Sequence, residues 1–346
     1  MTEFTNHIIQ WHLQHGRHDL PWQGTTDPYK IWVSEIMLQQ TQVTTVIPYF
    51  ERFMQRFPTV QALASASIDD VLHLWTGLGY YARGRNLHKA AQQVVNDFQG
   101  EFPQTLDEMM SLSGIGRSTA GAILSFAFSL SHPILDGNVK RVLSRVFGVE
   151  GWYGQSAVAK EFWQLATEHT PQQNVATYTQ AIMDFGATLC TRSKPNCTEC
   201  PLNSNCVAFQ EGRTAELPSK KPKKKIPTKS CQMVIIRNAN QHILLEQRPP
   251  NGIWGGLWSL PELNTDACVT DCIYNEYGLR IDTLKNGTSL RHTFSHYHLD
   301  IQTVVAELHG DNSHPITDKN TLWIDLHKPI EVGLPAPVKK LLTALS

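Results

Sequence analysis

The strongest constraint on this chain is a change of hydrophobic rhythm partway along it. Up to about residue 212, apolar side chains recur at three- and four-residue intervals in 30–40, 44–57, 68–75, 84–98, 117–129, 138–147 and 157–168, which is the spacing of amphipathic helices. From about residue 230 the rhythm changes. Met233–Arg237 and His242–Gln247 are β-rich runs separated by Asn238-Ala239-Asn240-Gln241, a pattern that predicts a hairpin. His298–Glu307 and Thr321–Leu326 read as further strands, with short helices expected near 265–276 and 336–345. Between the two regimes, 213–229 holds Pro218, Pro222, Pro227 and few apolar side chains, the composition of a linker. The reading is a mainly α domain over 1–212, a basic Pro/Lys linker over 213–229 and an α+β domain over 230–346. A length of 346 residues suits two domains at ~150 residues each. Local signals agree: Asp27-Pro28 is a cap followed by proline at the first helical position, and Thr105 with Glu108 has capping-box spacing.

Charge and targeting signals narrow the class. The net charge of −1 gives no hint of nucleic acid, but its distribution does. Lys220, Lys221, Lys223, Lys224, Lys225 and Lys229 crowd the linker, either as a solvated tether or as one that also lies along phosphates. No run approaches the roughly 20 apolar residues of a membrane span. The start, MTEFTNHIIQ, lacks the basic and apolar regions of a secretory signal and the Arg-rich character of a transit peptide, so a bacterial cytoplasmic location is expected. Seven cysteines without a secretory signal argue against a disulfide framework.

Three features carry chemistry. Cys190, Cys197, Cys200 and Cys206 are separated by six, two and five residues. Four thiolates this close can wrap one soft metal centre. Spacing alone leaves the metal open, although zinc sites more often show two short pairs. Arg192 and Lys194 make the same loop cationic. Second, Leu112-Ser113-Gly114-Ile115-Gly116-Arg117 joins two helical runs. Gly114 and Gly116 permit a tight turn with exposed N–H groups at a helix start, suited either to one backbone phosphate or to an ordinary helix–helix turn. Asp136 follows twenty residues later and reads as the N-cap of the next helix, a role compatible with catalysis. Third, in Trp32–Gln42 the polar residues Glu35, Gln39 and Gln42 stand at i, i+4 and i+7 of an apolar helix. Among Trp32, Ile36 and Leu38, Glu35 would be desolvated and hold its proton, as a general acid requires. The plainer alternative is a wet helix face.

Together these pieces resemble the helix–hairpin–helix, iron–sulfur DNA glycosylases, and within them the MutY-type adenine glycosylases. The resemblance covers nearly the whole chain and rests on WVSEIMLQQTQV (32–43), LWTGLGYYARGR (74–85), LSGIGRSTAGAI (112–123), ILDGNVKRVL (134–143) and the four cysteines. It implies a [4Fe–4S] cluster on those cysteines. It implies that Glu35 protonates the departing adenine, that Asp136 stabilises the positive sugar and that Asn138 orients the site. Gln40 and Tyr80 would wedge into the base stack, and Asp184 would stand near the adenine pocket. Trp22 and Arg17 are further candidates for the pocket or the DNA face. Strand-cutting relatives carry a lysine where this chain has Ser118, so the expectation is a monofunctional glycosylase.

The C-terminal part resembles the family's Nudix-like domain, most clearly at Trp254-Gly255-Gly256-Leu257-Trp258 and Phe294-Ser295-His296. The resemblance assigns Phe294, Ser295 and His296 to contact with 8-oxoguanine. The acidic Nudix box is missing, with Asn275-Glu276-Tyr277-Gly278 its closest remnant, which disfavours pyrophosphate hydrolysis. The implied partner is duplex DNA with adenine opposite 8-oxoguanine or guanine, met by a monomer on the bacterial nucleoid. A glycosylase/lyase for oxidised pyrimidines and a silent lesion-binding protein are the rivals. Ser118 speaks against the first, and the pair Glu35 and Asp136 against the second.

Overall fold

The computed structural model describes residues 1–222, 226–308, 317 and 319–345; the predicted lysine run at Lys223, Lys224 and Lys225 lies outside these. The chain clusters into two compact units: Met1–Ser65 with Asn86–Lys223, and Ala66–Arg85 with Lys224–Ser346. The segment 66–85, helical by its spacing and inside the stretch 1–212, therefore belongs with the C-terminal β-rich part. No helix among the described residues is long and apolar enough to cross a membrane.

The first unit is helical: α1 (Glu3–His15), α2 (Pro28–Leu38), α3 (Val43–Arg56) and α4 (Val60–Ala64) precede the excursion into the second unit, which carries α5 (Ile68–Trp75). The chain returns within α6 (Ala82–Asp97), followed by α7 (Leu106–Ser111), α8 (Arg117–Phe128), α9 (Gly137–Phe147), α10 (Ser156–His169), α11 (Val175–Asp184) and α12 (Val207–Gln210). A π-helical turn, Phe185–Leu189, extends α11 towards the cysteine loop. The predicted cap at Asp27 is present, accepting from the Tyr29 N–H ahead of Pro28, and Thr59 caps α4 by accepting from the Ala62 N–H. Thr105 accepts from the Glu108 N–H and donates to the Glu108 carboxylate. Ile8, Val142, Leu143, Phe162, Ile182 and Phe185 form the core where α1, α9, α10 and α11 meet.

Two close approaches set the site. Gly121 in α8 lies under the chain at Pro133, where a Cβ would stand 2.7 Å from the Pro133 carbonyl oxygen. Gly186 lies under Asn138, where a Cβ would stand 2.6 Å from the Asn138 Cβ. Only a residue without a Cβ allows such contacts, and they draw the 132–138 segment down onto α8 and the end of α11.

Among the described residues the second unit is built on a seven-stranded sheet whose main path runs β3-β2-β1-β6-β5, with β4 paired to β1 and β7 to β2. Its strands are β1 (Thr228–Arg237), β2 (Ile243–Gln247), β3 (Trp258–Ser259), β4 (Glu262–Leu263), β5 (Ile281–Thr293), β6 (His298–Leu308) and β7 (Thr321–Ile324). The expected hairpin closes with Arg237 opposite Ile243, and β1 lies parallel to β6. Helices α13 (Val269–Tyr277) and α14 (Ala336–Thr343) complete the unit, with Ile273 and Tyr277 packed on Val234, Ile236 and Leu244. The long strand β5 was not legible beforehand: its residues are mostly exposed, so burial left no clear alternating signature. Helix α5 is seated here. Gly333 lies so near Leu72 that a Cβ would stand 2.9 Å from the Leu72 Cβ. The Tyr81 hydroxyl donates to the Leu334 carbonyl at 2.9 Å, and Arg85 Nη1 to the Gly255 carbonyl at 2.7 Å.

Candidate active site and cysteine loop

A cleft of about 630 Å³ in the first unit is lined by Glu35, Gln39, Gln40, Ser118, Asp136 and Asn138, along with Trp22, Leu38, Arg141 and Gln180. Residues far apart in sequence thus meet at one cavity of the size typical of small-molecule sites. Glu35 comes from α2 and Asp136 from the start of α9. Helix α8 packs on α2, with Gln39 Nε2 3.3 Å from Thr119 Oγ1.

The two carboxyls occupy different environments. Glu35 sits deep in the protein with only part of its surface open to the cavities. Burial first, and then the charge of Asp136, push its pKa up to about 8, so the group carries a proton at neutral pH. Asp136 is also raised by burial, but the Val139 and Asn138 N–H groups and the cations Arg141 and Lys140 pull it back. Its Oδ1 accepts from the Val139 N–H at 2.8 Å as the N-cap of α9, and its Oδ2 accepts from Asn138 Nδ2 at 3.2 Å. Donors on one carboxyl only make it the first of the pair to ionise. Two carboxyls with separated proton affinities at one cavity are the working parts of acid-assisted glycosidic cleavage.

Arg141 holds this corner together. It donates to Asn138 Oδ1 at 2.8 Å, to the Gly186 carbonyl, and through Nε to the Cys190 carbonyl at 2.7 Å. Neither Arg141 nor Gln180 was singled out from the sequence. Helical spacing offered the only hint, since Arg141 is three residues from Asn138 and Gln180 four residues from Asp184.

The polar stripe expected on one helix is built differently. Helix α2 ends at Leu38, with Gln39 as its C-cap at ψ 110°, and Gln42 is the N-cap of α3. All three polar residues still line the cleft, because the chain turns there rather than because they share a helical face. At that turn Gln40 adopts φ 58° and is exposed. Tyr80, in the second unit, is likewise exposed at φ 49°. Non-glycine residues in this region are uncommon and cluster at functional sites.

Asp184, expected near the adenine pocket, stands behind two residues of the cleft wall. It is fully buried and is not part of the cleft lining. It accepts from the Arg17 backbone N–H and guanidinium and from Gln180 Nε2 at 3.0 Å, with His12 Nδ1 3.3 Å away. Those bonds hold its carboxyl below the usual range despite burial, which opposes them. Asp184 therefore stands one layer back, and Arg17 and Gln180, which it orients, face the cavity. Trp22 is at the wall as expected, edge-on to Phe50 at 5.4 Å.

In the α7–α8 hairpin only Gly114 needs glycine for its backbone, at φ 81°. Gly116 has an ordinary φ of −93° as the N-cap of α8, and a Cβ there would meet nothing within 4 Å. The space over this helix start is open, with the first N–H groups of a twelve-residue helix facing it. Ser118 accepts from the Leu135 N–H at 2.9 Å, tying α8 to the Asp136 segment.

All four cysteines of the 190–206 loop line one small cavity with Arg145, Phe185 and Leu189. As they stand, no three His, Cys, Asp or Glu side chains among the described residues could hold a single metal ion. A [4Fe–4S] cube is a larger body, so its thiolates stand farther apart than four ligands on one ion. Buried Arg145 organises the loop: it donates to the Leu217 and Thr191 carbonyls at 2.9 and 2.7 Å, with Nη1 3.4 Å from Cys190 Sγ. Burial, together with the other thiols, pushes Cys200 up to about 12.

In the second unit, Phe294, Ser295 and His296 form the turn of the β5–β6 hairpin, closed by the Phe294 N–H donating to the Tyr297 carbonyl at 2.9 Å. Ser295 and His296 are exposed. The Phe294 ring is backed by Trp254 at 5.3 Å and His292 at 4.5 Å. Helix α13, where a Nudix box would lie, carries only Asp271 and Glu276 as acids, and Glu276 is paired with Lys319 at 2.8 Å.

Residues 33–168 match the model of the HhH-GPD superfamily of base excision DNA repair proteins, and 232–344 match that of the NUDIX domain. A protein of Buchnera aphidicola subsp. Acyrthosiphon pisum called adenine DNA glycosylase is 38% identical over 98% of this chain and 96% of its own length. The Homo sapiens protein of the same name is 32% identical over 94% of this chain and 70% of its own. A thermostable thymine-DNA glycosylase superposes with a TM-score of 0.55 at 27% identity, over 60% of this chain and 95% of that one. An endonuclease III–DNA complex shares the fold, with a TM-score of 0.52 at 21% identity over 60% and 94%.

Proposed function

Because the chain belongs to the adenine DNA glycosylase family, we propose that it hydrolyses the N-glycosidic bond of adenine mispaired with 8-oxoguanine or guanine in duplex DNA, leaving an abasic site. The observation that carries this reading is the protonated Glu35 and the capped, hydrogen-bonded Asp136 on one cavity. The extruded adenine enters between them. Glu35 gives its proton to the base at N7, the bond from C1′ to N9 breaks with its electrons leaving on the base, and ionised Asp136 stabilises the cationic sugar. Water adds to C1′ and gives a proton to the Asp136 carboxylate, which passes it to solvent. Asn138, held by Arg141, keeps the Asp136 carboxylate aimed.

Other residues fit the surrounding steps. The open N–H groups at Gly114, Gly116 and the α8 start suit one backbone phosphate. Exposed Gln40 and Tyr80 suit wedging into the stack as the base leaves it. Gln180, Arg17 and Trp22 supply polar edges and an aromatic wall for a purine. Ser118 has no amine for a Schiff base, which supports release of the base without strand cutting. The domain 230–346 would read the opposite base through Phe294, Ser295 and His296.

Cys190, Cys197, Cys200 and Cys206 would hold a [4Fe–4S] cluster as thiolates, which bound there would cross-link the loop that presents Arg192 and Lys194. The four thiols, Cys206 buried and the others half-buried around one small cavity, fit such a group, since binding exchanges thiol protons for metal. The purified protein is expected to contain four iron and four sulfide per chain, by metal and sulfide analysis, and Cys200→Ala to lose them. A wild-type protein carrying one zinc instead would overturn this assignment. The protein is read as a monomer acting on bacterial nucleoid DNA.

The decisive experiment is single-turnover incubation with duplexes carrying adenine opposite 8-oxoguanine, guanine or thymine, each with and without alkali. Strand scission that needs alkali, and only with the first two, is expected. Glu35→Gln should bind the duplex and release no base; full activity in that variant would remove the assignment.

A further inference from the structure

Glu35 faces a second cavity as well. A space of about 450 Å³ lies against it, lined by Ser34, Ile31 and Phe126 at its inner end and by His18, Gly24 and Thr26 at its rim. Asp136, Asn138, Ser118 and Gln40 do not line it. Four residues, Glu35, Arg17, Trp22 and Gln180, border both cavities and mark where they adjoin. His18, Gly24 and Thr26 are exposed, so this cavity reaches the surface along a path separate from the cleft floor at Asp136. Gly24 adopts φ 72° with nothing within 4 Å of where its Cβ would lie, which leaves the rim unobstructed.

We propose that this rear cavity is the exit route and transient binding site of the freed purine base. The inference rests on the reading above, in which the extruded adenine enters the front cleft between Glu35 and Asp136. Once the bond to C1′ is broken, the abasic sugar and its phosphates stand between the base and the front opening. A flat heteroaromatic base with polar edges then has an aromatic wall in Trp22 and Phe126 and polar partners in Gln180, Gln23, Thr25 and Thr26. The volume lies within the ~300–1,000 Å³ of small-molecule sites. The same opening lets water reach Glu35 and return its proton with the duplex still bound.

The test separates bond cleavage from base departure. A duplex carrying 2-aminopurine opposite 8-oxoguanine is mixed with excess enzyme. Cleavage is read by quenching and alkaline scission, and release by the fluorescence of the freed base as it leaves Trp22. In the wild type the two signals should coincide. Ala176→Phe, on α11, and Thr26→Trp, at the rim, narrow only the rear cavity. Each should cleave within about threefold of wild type but release the base about tenfold more slowly or worse, as a gated product step requires. Cleavage at the wild-type rate also shows that a variant is folded. Release still coincident with cleavage in both variants would overturn the exit route. Loss of cleavage in both would also overturn it, by showing that this space is part of the reacting pocket. A wild type that frees no base would instead sink the glycosylase reading itself.

Discussion

At the scale of single residues, the decisive quantity is the proton on Glu35. Its pKa near 8 comes from burial, reinforced by the charge of Asp136. The acid form drives base departure, so single-turnover cleavage should be level below pH 8 and fall about tenfold per unit above it, measured by stopped reactions from pH 6 to 9.5. A rate that rises through pH 8 would mean that Glu35 acts as a base. The same proton is linked to stability. An unfolded glutamate ionises near 4.5, whereas the folded one holds on until about 8. Its stabilising contribution is whole below the first value and lost as pH climbs through the second. Glu35→Gln should therefore flatten this part of the pH–Tm curve and melt higher than wild type at pH 8.5.

At the scale of elements, Asp136 joins two jobs at one helix start. As the N-cap of α9 it fixes the chain that leaves α8, and as a carboxylate it faces the cleft. These can be separated by substitution. Asparagine is as good a cap as aspartate, so Asp136→Asn should unfold within ~0.5 kcal/mol of wild type in urea while losing base release. Asp136→Ala should lose activity too and cost about 1 kcal/mol more, the usual worth of a cap. If the alanine variant proves as stable as the asparagine one, the cap carries little here. Elements also explain where local reading stopped short. The 32–42 stretch is apolar enough to read as one helix, yet Gln39 leaves helical geometry and Gln42 starts α3. Nothing local signals that break, since it has neither proline nor glycine. Gly116 shows the opposite: a glycine that suggests a special backbone but has ordinary dihedrals, with its use lying in the open space above it.

At the scale of the whole molecule, segment 66–85 matters most. It lies within the helical half of the sequence yet belongs to the unit built on the sheet, where Gly333 packs against Leu72 and Leu257 and Tyr81 bonds to Leu334. Leu72→Ala opens a cavity there and should cost about 2–5 kcal/mol, seen by hydrogen exchange as lost protection in β3 and α14. Protection lost only in α1–α4 would contradict that placement.

Much of this protein can be read along the chain, because helix caps, strand alternation and cysteine spacing are short-range properties. Asp27, Thr105, the 238–241 turn and the four cysteines each declare themselves within a few residues. The pairing of Glu35 with Asp136 is also foreshadowed, since a glutamate among tryptophan, isoleucine and leucine is already an odd choice. What needed three dimensions was every distinction made by distance between remote segments. Asp184 and Gln180 differ by one helical turn, yet one is walled off by Arg17 and His12 while the other faces the cavity. The membership of 66–85, the rear opening behind Glu35 and the reach of Arg141 to the Cys190 carbonyl are of the same kind. Folding sets them through contacts from about fifty to more than two hundred residues apart, or through small residues such as Gly121 and Gly186, whose importance lies in what packs against them and is invisible in their neighbours along the chain.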